Sequence, residues 1–412
     1  MEFIADFHIH SKYSRATSRD MDIQHLVEWA KLKGIALMGT GDFTHHLWLE
    51  ELKHTLEDCD NGLFKHAGVY FMLTAEVSSI YSKHGRTYRI HNLIFSPSFK
   101  SVDKINERLG RIGNLASDGR PILGLDAAEL ARIIFDIDEN CMIIPGHIWT
   151  PWFSVFGSMS GFDKIEDCFE KQTDKIFALE TGLSSDPAMN WRLSALDKFT
   201  LISNSDSHSP QKIGREANVF NCQMDYKTIM DVLKTKDKEK FLYTIEFFPE
   251  EGKYHYDGHR LCGVRWSPQE TKAHNGRCPK CGKPVTVGVV NRLEKLADRP
   301  EGFKPDNAVP FKNLIPFMEI IAEAKSLGKA SINVEREYRA YLAKFGTEFN
   351  ILLKVSKDEL LRSLPSKVVD GILRVRSGKV NIKAGFDGEY GTISIFGDDQ
   401  KQGKSEQQLS LF

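Results

Sequence analysis

Two histidines near the start of the sequence, His8 and His10, stand two residues apart, directly after an apolar run that begins at Phe3. Side chains alternate faces along a strand, so both imidazoles point the same way while Phe7 and Ile9 point into packing. Two imidazoles on one face at a strand end can seat a metal ion. The alternative is a pair of surface histidines near a terminus, and matching groups further along the chain argue against it.

Acidic and imidazole side chains recur at the ends of other apolar segments that predict strands. These segments end at Asp42, Glu76, His147, Glu180 and the pair Asp206 and His208, and a further predicted strand opens at His91. A helix is predicted between Met21 and Lys33, before Gly34. Strands that alternate with helices predict a parallel α/β sheet, and polar groups at the carboxyl ends of such strands are typical of a barrel.

The types of these side chains narrow the choice of metal. Imidazoles mixed with carboxylates suit Zn²⁺, Mn²⁺ or Fe²⁺ better than Mg²⁺ or Ca²⁺, which prefer oxygen ligands. The ligands are too many for a single ion, so we expect two or three, with Glu76 as a candidate bridge. Clusters of this kind activate water and offset charge on a phosphoryl oxygen, which favours phosphoester hydrolysis over redox chemistry.

The composition is that of an ordinary soluble globular protein. The chain has 412 residues, of which 41% are hydrophobic and 27% charged, enough for two or three domains. No apolar run is long enough to span a bilayer, and no charged-then-apolar leader precedes His8. We therefore expect a cytoplasmic protein with no membrane partner.

The net charge of −1 conceals an asymmetry along the chain. Residues 253–383 contain 25 Lys and Arg against 14 Asp and Glu, an excess of 11 positive charges. An acidic front half suits a cation site, and a basic back half suits a phosphate polymer. Single charge runs are more often solvated helix faces, but over about 130 residues we favour contact with nucleic acid.

Three of the seven cysteines predict a structural zinc site. Cys278-Pro-Lys-Cys281-Gly has the form of a zinc knuckle, and Cys262 precedes it by sixteen residues. His259 would complete a His-Cys₃ set, although His255 or His274 could supply the fourth ligand. The other four cysteines are scattered and do not form a disulfide framework.

The C-terminal third predicts helices followed by a short hairpin. Apolar residues have helical spacing in 314–324 and 338–349, and 359–374 predicts a further basic helix. The hairpin is predicted within 385–396, with Asp387-Gly388 at its turn.

The motifs of the first 235 or so residues resemble those of the PHP (polymerase and histidinol phosphatase) superfamily. The matching segments are Asp6–His10, Gly41–Asp42, Glu76, His91, His147 and Asp206–His208. The resemblance implies a distorted (β/α)₇ barrel, a trinuclear metal centre and phosphoesterase activity. It assigns one metal site to His8, His10, Glu76 and Asp206, a second to Glu76, His91 and His147, and part of a third to His208.

The third site is where the sequence departs from the superfamily pattern. A histidine usually follows the aspartate of the second motif directly, and Phe43 stands in that position. The further histidine expected shortly after His10 is also missing. Asp42 or His45 could substitute for the missing ligands.

The whole arrangement resembles the endonuclease Q family over nearly the full length. The resemblance rests on the PHP motifs, the zinc module containing 258–264, the helical region and the segment 386–391. It implies a repair nuclease that cuts DNA on the 5′ side of hypoxanthine, uracil, xanthine and abasic sites. The expected catalytic residues are Asp42, Glu76, Asp206 and His208, with Mg²⁺ or Mn²⁺ for activity.

This resemblance also sets the expected domain organisation. Residues 1–240 are expected to form the PHP metallophosphoesterase domain and 241–290 the zinc-binding module. Residues 291–396 are expected to form a mainly helical DNA-binding domain, and 397–412 a flexible tail.

Several residues outside the metal motifs are candidates for contact with damaged double- or single-stranded DNA. Aromatic residues follow His147 closely and could line a base pocket or wedge the duplex, or equally could cap the core; they are Trp149, Trp152, Phe153 and Phe156. Arginines that could contact phosphates near the metals are Arg15, Arg86 and Arg89.

The last five residues predict a partner. Gln408-Leu409-Ser410-Leu411-Phe412 is similar to the pentapeptide that binds the bacterial sliding clamp, and it follows a polar stretch without periodicity. Apolar anchors with a glutamine suit an apolar pocket. One copy of the chain is sufficient to bind the clamp through a tethered peptide, so we expect a monomer.

Two other functions fit part of the sequence. A small-molecule phosphatase of the PHP type would explain residues 1–235 and leave the basic half, the knuckle and the tail without purpose. A non-catalytic DNA- and clamp-binding scaffold would tolerate the altered third site. The complete set of metal-ligand motifs argues against the scaffold.

Overall fold

The structure is a computed structural model of the chain, and it describes residues 1–397. The predicted clamp-binding residues Gln408, Leu409, Ser410, Leu411 and Phe412 lie outside this range. No helix within residues 1–397 is long and apolar enough to cross a membrane.

The strands are short, apart from one long pair. In chain order they are β1 (Glu2–Asp6), β2 (Leu37–Gly39), β3 (Glu57–Asp58), β4 (Phe64–His66), β5 (Val69–Lys83), β6 (Arg86–Ser96), β7 (Ile122–Leu123), β8 (Met142–Pro145), β9 (Ala178–Glu180), β10 (Thr200–Ile202), β11 (Ala217–Asn221), β12 (Phe241–Glu246), β13 (Asp257–His259), β14 (Val264–Trp266), β15 (Phe311–Asn313), β16 (Asn381–Lys383) and β17 (Thr392–Ser394).

The helices lie between these strands and dominate the C-terminal part. They are α1 (Ile23–Lys33), α2 (His46–Thr55), α3 (Phe99–Gly110), α4 (Ala127–Ile137), α5 (Ile165–Phe169), α6 (Pro187–Asn190), α7 (Tyr226–Thr235), α8 (Pro268–Ala273), α9 (Val289–Leu296), α10 (Phe317–Lys325), α11 (Ile332–Phe345), α12 (Lys357–Leu361) and α13 (Ser366–Arg376). Short 3₁₀ turns cover Leu115–Ser117, Glu170–Lys175, Ser194–Leu196, Pro210–Lys212, Pro249–Glu251 and Arg260–Cys262, and Asn350–Lys354 is a π-helical turn.

Helix α1 illustrates how the local sequence sets the boundaries. The side chain of Asp22 accepts a hydrogen bond from the backbone N–H of His25, and Gly34 ends the helix with φ +90°. A capping aspartate and a left-handed glycine are the usual start and stop of a helix. The helix predicted between Met21 and Lys33 is confirmed.

The main sheet is mixed, whereas a parallel sheet was predicted. Strands β1, β2 and β5 are parallel neighbours, but β11 is antiparallel to β1 and β6 is antiparallel to β5 and β8. The reason is local: Lys83 and Arg86 pair across a turn at His84 and Gly85, both with positive φ. This turn joins β5 and β6 into a long hairpin without a crossover helix.

Alternate residues of many strands meet in one apolar cluster. Phe3 and Ala5 enter it from β1, and Phe7 enters it from just after that strand. Side chains of β2, β5, β6, β8, β9, β10, β11 and β12 join them. Strands β9 and β10 form a separate parallel ladder. The mixed α/β class is confirmed, and the closed (β/α)₇ barrel stays a prediction.

The sheet continues past residue 240, where the first predicted domain ends. Strand β12 pairs with β11, and β15 adds to β12 in parallel register. Two small antiparallel pairs, β13–β14 and β16–β17, form separate two-stranded sheets.

The C-terminal helices differ in one place from the prediction. The segment 359–374, predicted as one helix, is divided between α12 and α13. Pro365 precedes α13 and cannot donate a backbone hydrogen bond, so a continuous helix is interrupted there. Ser366 then begins the second helix, whose buried face includes Val368 and Ile372.

Candidate metal centre

Two groups of potential metal ligands meet at one carboxylate, Glu76. The first group comprises His8, His10, Glu76 and Asp206, and the second comprises Glu76, His91 and His147; within each group the ligand atoms lie within 4.8 Å of one another. The two oxygens of Glu76 face different groups. Oε2 lies 3.5 Å from Nε2 of His8, and Oε1 lies 2.5 Å from Nδ1 of His91. In this position the carboxylate of Glu76 would serve as a ligand shared by two ions, one held by each group.

Short loops after two strands position three ligands of the first group. His8 and His10 follow β1, and Asp206 follows β10. The two loops are joined because the backbone N–H of His10 donates to the carbonyl of Ser207, at 2.9 Å. Nε2 of His10 consequently lies 3.1 Å from Oδ1 of Asp206 and 3.2 Å from Oε2 of Glu76.

The second group is built on the long hairpin and the loop after β8. Residues 76 and 91 lie on β5 and β6, and His147 follows β8. Nε2 of His147 lies 3.1 Å from Oε1 of Glu76 and 3.0 Å from Nδ1 of His91. These contacts bring residues 71 positions apart into one buried site.

Surrounding side chains fix which nitrogen of each imidazole faces the site. Nδ1 of His8 lies 3.0 Å from Oε1 of Glu180, and Nδ1 of His10 lies 3.0 Å from Oδ1 of Asp42. An imidazole that donates Nδ1–H to a carboxylate presents the lone pair of Nε2 on its other side, the usual arrangement behind a metal ligand. Nε2 of His8 is buried and has no hydrogen-bond partner among the described residues. This buried nitrogen without a partner faces the carboxylates of Glu76 and Asp206, and such a position fits a divalent cation.

The backbone at three site residues adopts an unfavourable conformation. Asp42, His147 and Asp206 have φ values of +51°, +28° and +45°. Residues other than glycine take such values at a cost of about 1–3 kcal/mol and are enriched at functional sites. The fold holds these three side chains in place against that cost.

Two carboxylates of the site, Glu76 and Asp206, have lowered pKa values. Burial alone would raise their pKa values, but it is outweighed by neighbouring charges. His91, Arg120 and His8 hold the pKa of Glu76 well below its usual range. His8 and His10 lower the pKa of Asp206 in the same way. The site therefore presents anionic oxygens to a cation.

The pKa values of the imidazoles are shifted in opposite directions by their surroundings. Burial opposes charge on His8, but Glu180 and the other carboxylates raise its pKa well above the ordinary value. The pKa of His10 is raised against burial by Asp42 and its neighbours. Burial lowers the pKa of His91 to about 4.

Asp42 lies beside the first group and its oxygens are fully occupied. Oδ2 accepts hydrogen bonds from the backbone N–H of Ser11 at 2.6 Å and from the hydroxyls of Ser11 and Ser14 at 2.7 and 2.8 Å. Oδ1 contacts His10, as above. Among residues 1–397, Asp42 belongs to neither ligand group.

His208 also lies next to the first group without joining it. Its Nδ1–H donates to the carbonyl of Asp206 at 3.0 Å, and its ring centroid lies 4.6 Å from that of His10. The side chain is 32% exposed. His45, the alternative third-site residue, is buried against Tyr13 with ring centroids 4.5 Å apart.

Two residues of the site were not among the predicted site residues. Glu180, which holds His8, ends an apolar strand and so had a signal in the sequence. Arg120, whose Nη1 lies 3.2 Å from Oε2 of Glu76, stands in a loop with no motif around it. Only the folded chain brings this cation to the ligands.

The four predicted knuckle residues lie together. His259, Cys262, Cys278 and Cys281 form a third group of potential ligands within 4.8 Å. Although burial opposes it, the backbone N–H groups of Lys280 and Cys281 lower the pKa of the Cys278 thiol. Amides aimed at a sulfur in this way favour the thiolate that a metal binds.

The aromatic residues after His147 divide into core and surface. Trp149 is 1% exposed, its indole N–H donates to Asn190 at 2.7 Å, and its ring packs on Phe156. It is therefore a core residue, not placed to contact DNA. Trp152 and Phe153 are partly exposed.

Phe153 links the loop after His147 to the metal centre. Its ring centroid lies 4.8 Å from that of His91, and the guanidinium of Arg89 lies 5.9 Å from the Phe153 ring. Arg86 is exposed and lies over Tyr88. Arg15 is 74% exposed in its side chain and pairs with Asp118 in the loop that carries Arg120.

Comparison with known proteins decides the family. The crystal structure of the lesion-specific endonuclease PfuEndoQ from Pyrococcus furiosus is similar over 100% of both chains, with a TM-score of 0.87 and 32% identity. The chain belongs to the endonuclease Q family. A structure of endonuclease Q in complex with a 27-mer duplex that carries an abasic lesion at the active site matches 99% of this chain and 100% of that one, with a TM-score of 0.85 and 32% identity.

A second relative is longer than this chain. The MJ0043 protein of Methanocaldococcus jannaschii is 34% identical over 272 residues, which cover 63% of this chain and 33% of that protein. The chain thus corresponds to a third of that relative's length. The family described as the MJ0043 C-terminal domain matches residues 316–379, which include α10, α11, α12 and α13. The resemblance to endonuclease Q stated from the sequence is confirmed.

Proposed function

We propose that this member of the endonuclease Q family is a DNA repair enzyme that hydrolyses the phosphodiester on the 5′ side of deaminated bases and abasic sites. Hypoxanthine, uracil and xanthine are the expected bases, and the products carry a 3′-hydroxyl and a 5′-phosphate. The proposal is supported by likeness over the whole chain to a lesion-specific endonuclease and to a family member in complex with abasic DNA.

The proposed hydrolysis is inferred mainly from one observation: the carboxylate of Glu76 lies between two groups of potential metal ligands. We assign one ion to the group with Asp206 and one to the group with His147. Two ions at such a site supply a nucleophile from water at neutral pH and neutralise charge on a phosphoryl oxygen. The metals that support activity are Mg²⁺ or Mn²⁺, with Zn²⁺ as a further occupant of the cluster.

Asp42 and His208 act on this centre from its edge. Asp42 orients His10 through Nδ1 and is itself held by two serines, so we assign it a positioning role. Burial lowers the pKa of His208, and its Nδ1–H donates to the carbonyl of Asp206, so Nε2 is the nitrogen that can accept a proton. A neutral imidazole beside the substrate fits a general base.

Arg120 has the position expected of a residue that binds the scissile phosphate. Its guanidinium touches the shared carboxylate, and 27% of the side chain faces solvent. Guanidinium groups bind phosphate oxygens in a fixed fork geometry. Arg120 can therefore turn from Glu76 to an incoming phosphodiester without leaving the site.

The remaining assignments concern DNA and partners. The knuckle of His259, Cys262, Cys278 and Cys281 holds a structural Zn²⁺. Partly or fully exposed residues near the metal centre hold damaged double- or single-stranded DNA; they are Trp152, Phe153, Arg15, Arg86 and Arg89. The C-terminal peptide, outside the described residues, binds the sliding clamp, and the protein acts in the cytoplasm as a monomer.

The substrate class is tested by comparing a duplex with one hypoxanthine, the same duplex without damage, and a small phosphomonoester. We expect one cut on the 5′ side of hypoxanthine, which leaves a 3′ end that a polymerase can extend. Uncut damaged duplex together with turnover of the phosphomonoester would contradict it and favour the phosphatase.

A further inference from the structure

Two large apolar side chains project from the zinc module and the hairpin next to it. Leu261 is 84% exposed, in the short turn between the ligands His259 and Cys262, and Tyr390 is 75% exposed, in the loop between β16 and β17. Single exposed apolar residues are common on protein surfaces. These two differ because of how their loops are fixed and what surrounds them.

The two loops form one rigid unit. Asp387 joins them: its Oδ2 accepts the backbone N–H of Arg260 at 2.7 Å, and its Oδ1 accepts the hydroxyl of Thr286 at 2.5 Å. The backbone N–H of Gly388 donates to the carbonyl of Lys253 at 2.8 Å. A side chain at Gly388, where φ is +89°, would stand 3.3 Å from the guanidinium of Arg260. Leu261 and Tyr390 are therefore carried on a single support.

Aromatic and cationic side chains connect this unit to the metal centre. The ammonium of Lys253 lies 5.8 Å from the ring of Tyr390 and 5.5 Å from that of Tyr254. The ring of Tyr254 in turn lies 5.4 Å from that of Trp152.

The connection continues to a metal-ligand candidate. The carbonyl of Trp152 accepts the hydroxyl of Thr150 at 2.8 Å, and that hydroxyl lies 3.1 Å from Nδ1 of His147. The surface thus runs without a break from a side chain of the second ligand group to the exposed residues.

The lysines and arginines of residues 253–283, the segment that carries Leu261, have no carboxylate partners. Within residues 1–397, no ion pair involves Lys253, Arg260, Arg265, Lys272, Arg277, Lys280 or Lys283. Elsewhere many Lys and Arg side chains pair with Asp or Glu. Unpaired cations around exposed apolar groups fit a polyanion with stacked apolar interior, and duplex DNA is such a partner.

We propose that Leu261 and Tyr390 form a wedge that enters the base stack next to the lesion while Lys253 and Arg260 hold the flanking phosphates. The proposal rests on the proposed DNA endonuclease function and deepens it. An apolar side chain that replaces a stacking partner lowers the cost of turning the damaged nucleotide out of the duplex. The zinc knuckle holds one tip of the wedge by fixing the turn that carries Leu261.

The test compares two placements of the same hypoxanthine: paired in a duplex, and within an unpaired bubble where no wedge is needed. The double variant Leu261→Ala and Tyr390→Ala is expected to lower the ratio of the paired rate to the bubble rate by about tenfold or more. The matched control is Ile332→Ala, which removes a side chain of equal exposure, 84%, from α11. Unchanged zinc content and circular dichroism show that the variants fold.

A second readout does not depend on cleavage. We place 2-aminopurine beside an abasic site and follow its fluorescence as full-length protein binds, with anisotropy as the measure of binding. The wild type and Ile332→Ala are expected to raise the fluorescence, and the double variant is expected to bind without raising it.

The outcomes separate the wedge from the proposed function. An equal paired-to-bubble ratio in all three proteins, or fluorescence that rises equally in all three, would overturn the wedge. If the fluorescence rises only in proteins that keep Leu261 and Tyr390, and none of the proteins cuts the DNA, the result would support the wedge and overturn the proposed endonuclease activity. Absence of binding to the duplex would overturn both.

Discussion

Nη1 of Arg120 lies 3.2 Å from Oε2 of Glu76, the carboxylate that both groups of candidate metal ligands share. A cation this close to the ligands and partly open to solvent is placed to meet an anionic substrate at the metals. The same contact lowers the pKa of Glu76 together with His91. We propose that Arg120 pairs with this carboxylate before the substrate binds and with a phosphate of the substrate afterwards.

Replacing Arg120 with Gln is expected to slow single-turnover cleavage by about 10²–10³-fold, as for removal of one transition-state donor. Bound metal, measured by mass spectrometry, is expected to stay close to the wild-type amount because Arg120 is not a ligand. Arg132→Gln, which removes an exposed arginine paired with Glu129 on α4, is the control. Full activity of the Arg120 variant would contradict the assignment.

Asp42→Asn tests the positioning of His10. The amide cannot replace a carboxylate that takes three hydrogen bonds from two serines and orients an imidazole. The affinity of the centre for metal is expected to fall about 10–100-fold, in line with loss of other residues that support metal ligands. Titration of metal-free protein with Mn²⁺ measures it, and Asp103→Asn on α3 is the control. Equal affinities would show that Asp42 does not act through His10.

The grouping of ligands predicts a metal count of three ions per chain: two at the Glu76 centre and one in the knuckle. Elemental analysis of purified protein checks the count. Replacing Cys278 and Cys281 with Ser is expected to remove one ion, lower the melting temperature and leave the other two ions bound. A fourth ion in the wild type would indicate that Asp42 or His208 completes a third site.

The buried carboxyls of Glu216 and Glu246 predict how stability depends on pH. Burial, and then the repulsion between neighbouring carboxylates, raises the pKa of Glu216 well above 4.5. The folded protein keeps a proton that the unfolded chain releases, so this stabilisation is complete below about pH 4.5 and is lost as pH rises through the folded pKa. Glu216→Gln cannot ionise and is expected to melt about 2 °C or more above the wild type at pH 8.

Thermal melting of both proteins between pH 5 and 8 provides the comparison. The melting temperature of the wild type is expected to fall more steeply with pH than that of the variant. Glu107→Gln, an exposed substitution on α3, is expected to follow the wild type. Parallel curves for the wild type and Glu216→Gln would contradict the buried, protonated state.

The sequence predicted the ligand types better than the topology. His8, His10 and Asp206 follow apolar strands, so the strand pattern predicted that they lie close together. The spacing of Cys278 and Cys281 predicted the knuckle. The prediction of a parallel sheet was wrong because the turn at His84 and Gly85 joins β5 and β6 directly into an antiparallel hairpin.

Residues that act on the ligands were harder to find. Arg120 reaches Glu76 from a loop 44 positions away, and no local pattern marks such a contact. The exposure of Leu261 and Tyr390 depends on two loops that meet only in the folded chain. Long-range packing decides these features, and periodicity does not report it.

The most direct test of the account uses a labelled duplex with one hypoxanthine, Mg²⁺ or Mn²⁺, and two proteins: the wild type and Asp206→Ala. The wild type is expected to make a single cut on the 5′ side of the lesion. The variant is expected to bind the same duplex but not cut it, because it lacks one ligand of the first group and keeps the DNA-binding surface. Cutting by Asp206→Ala at the wild-type rate, or binding by the wild type without a cut, would contradict the account.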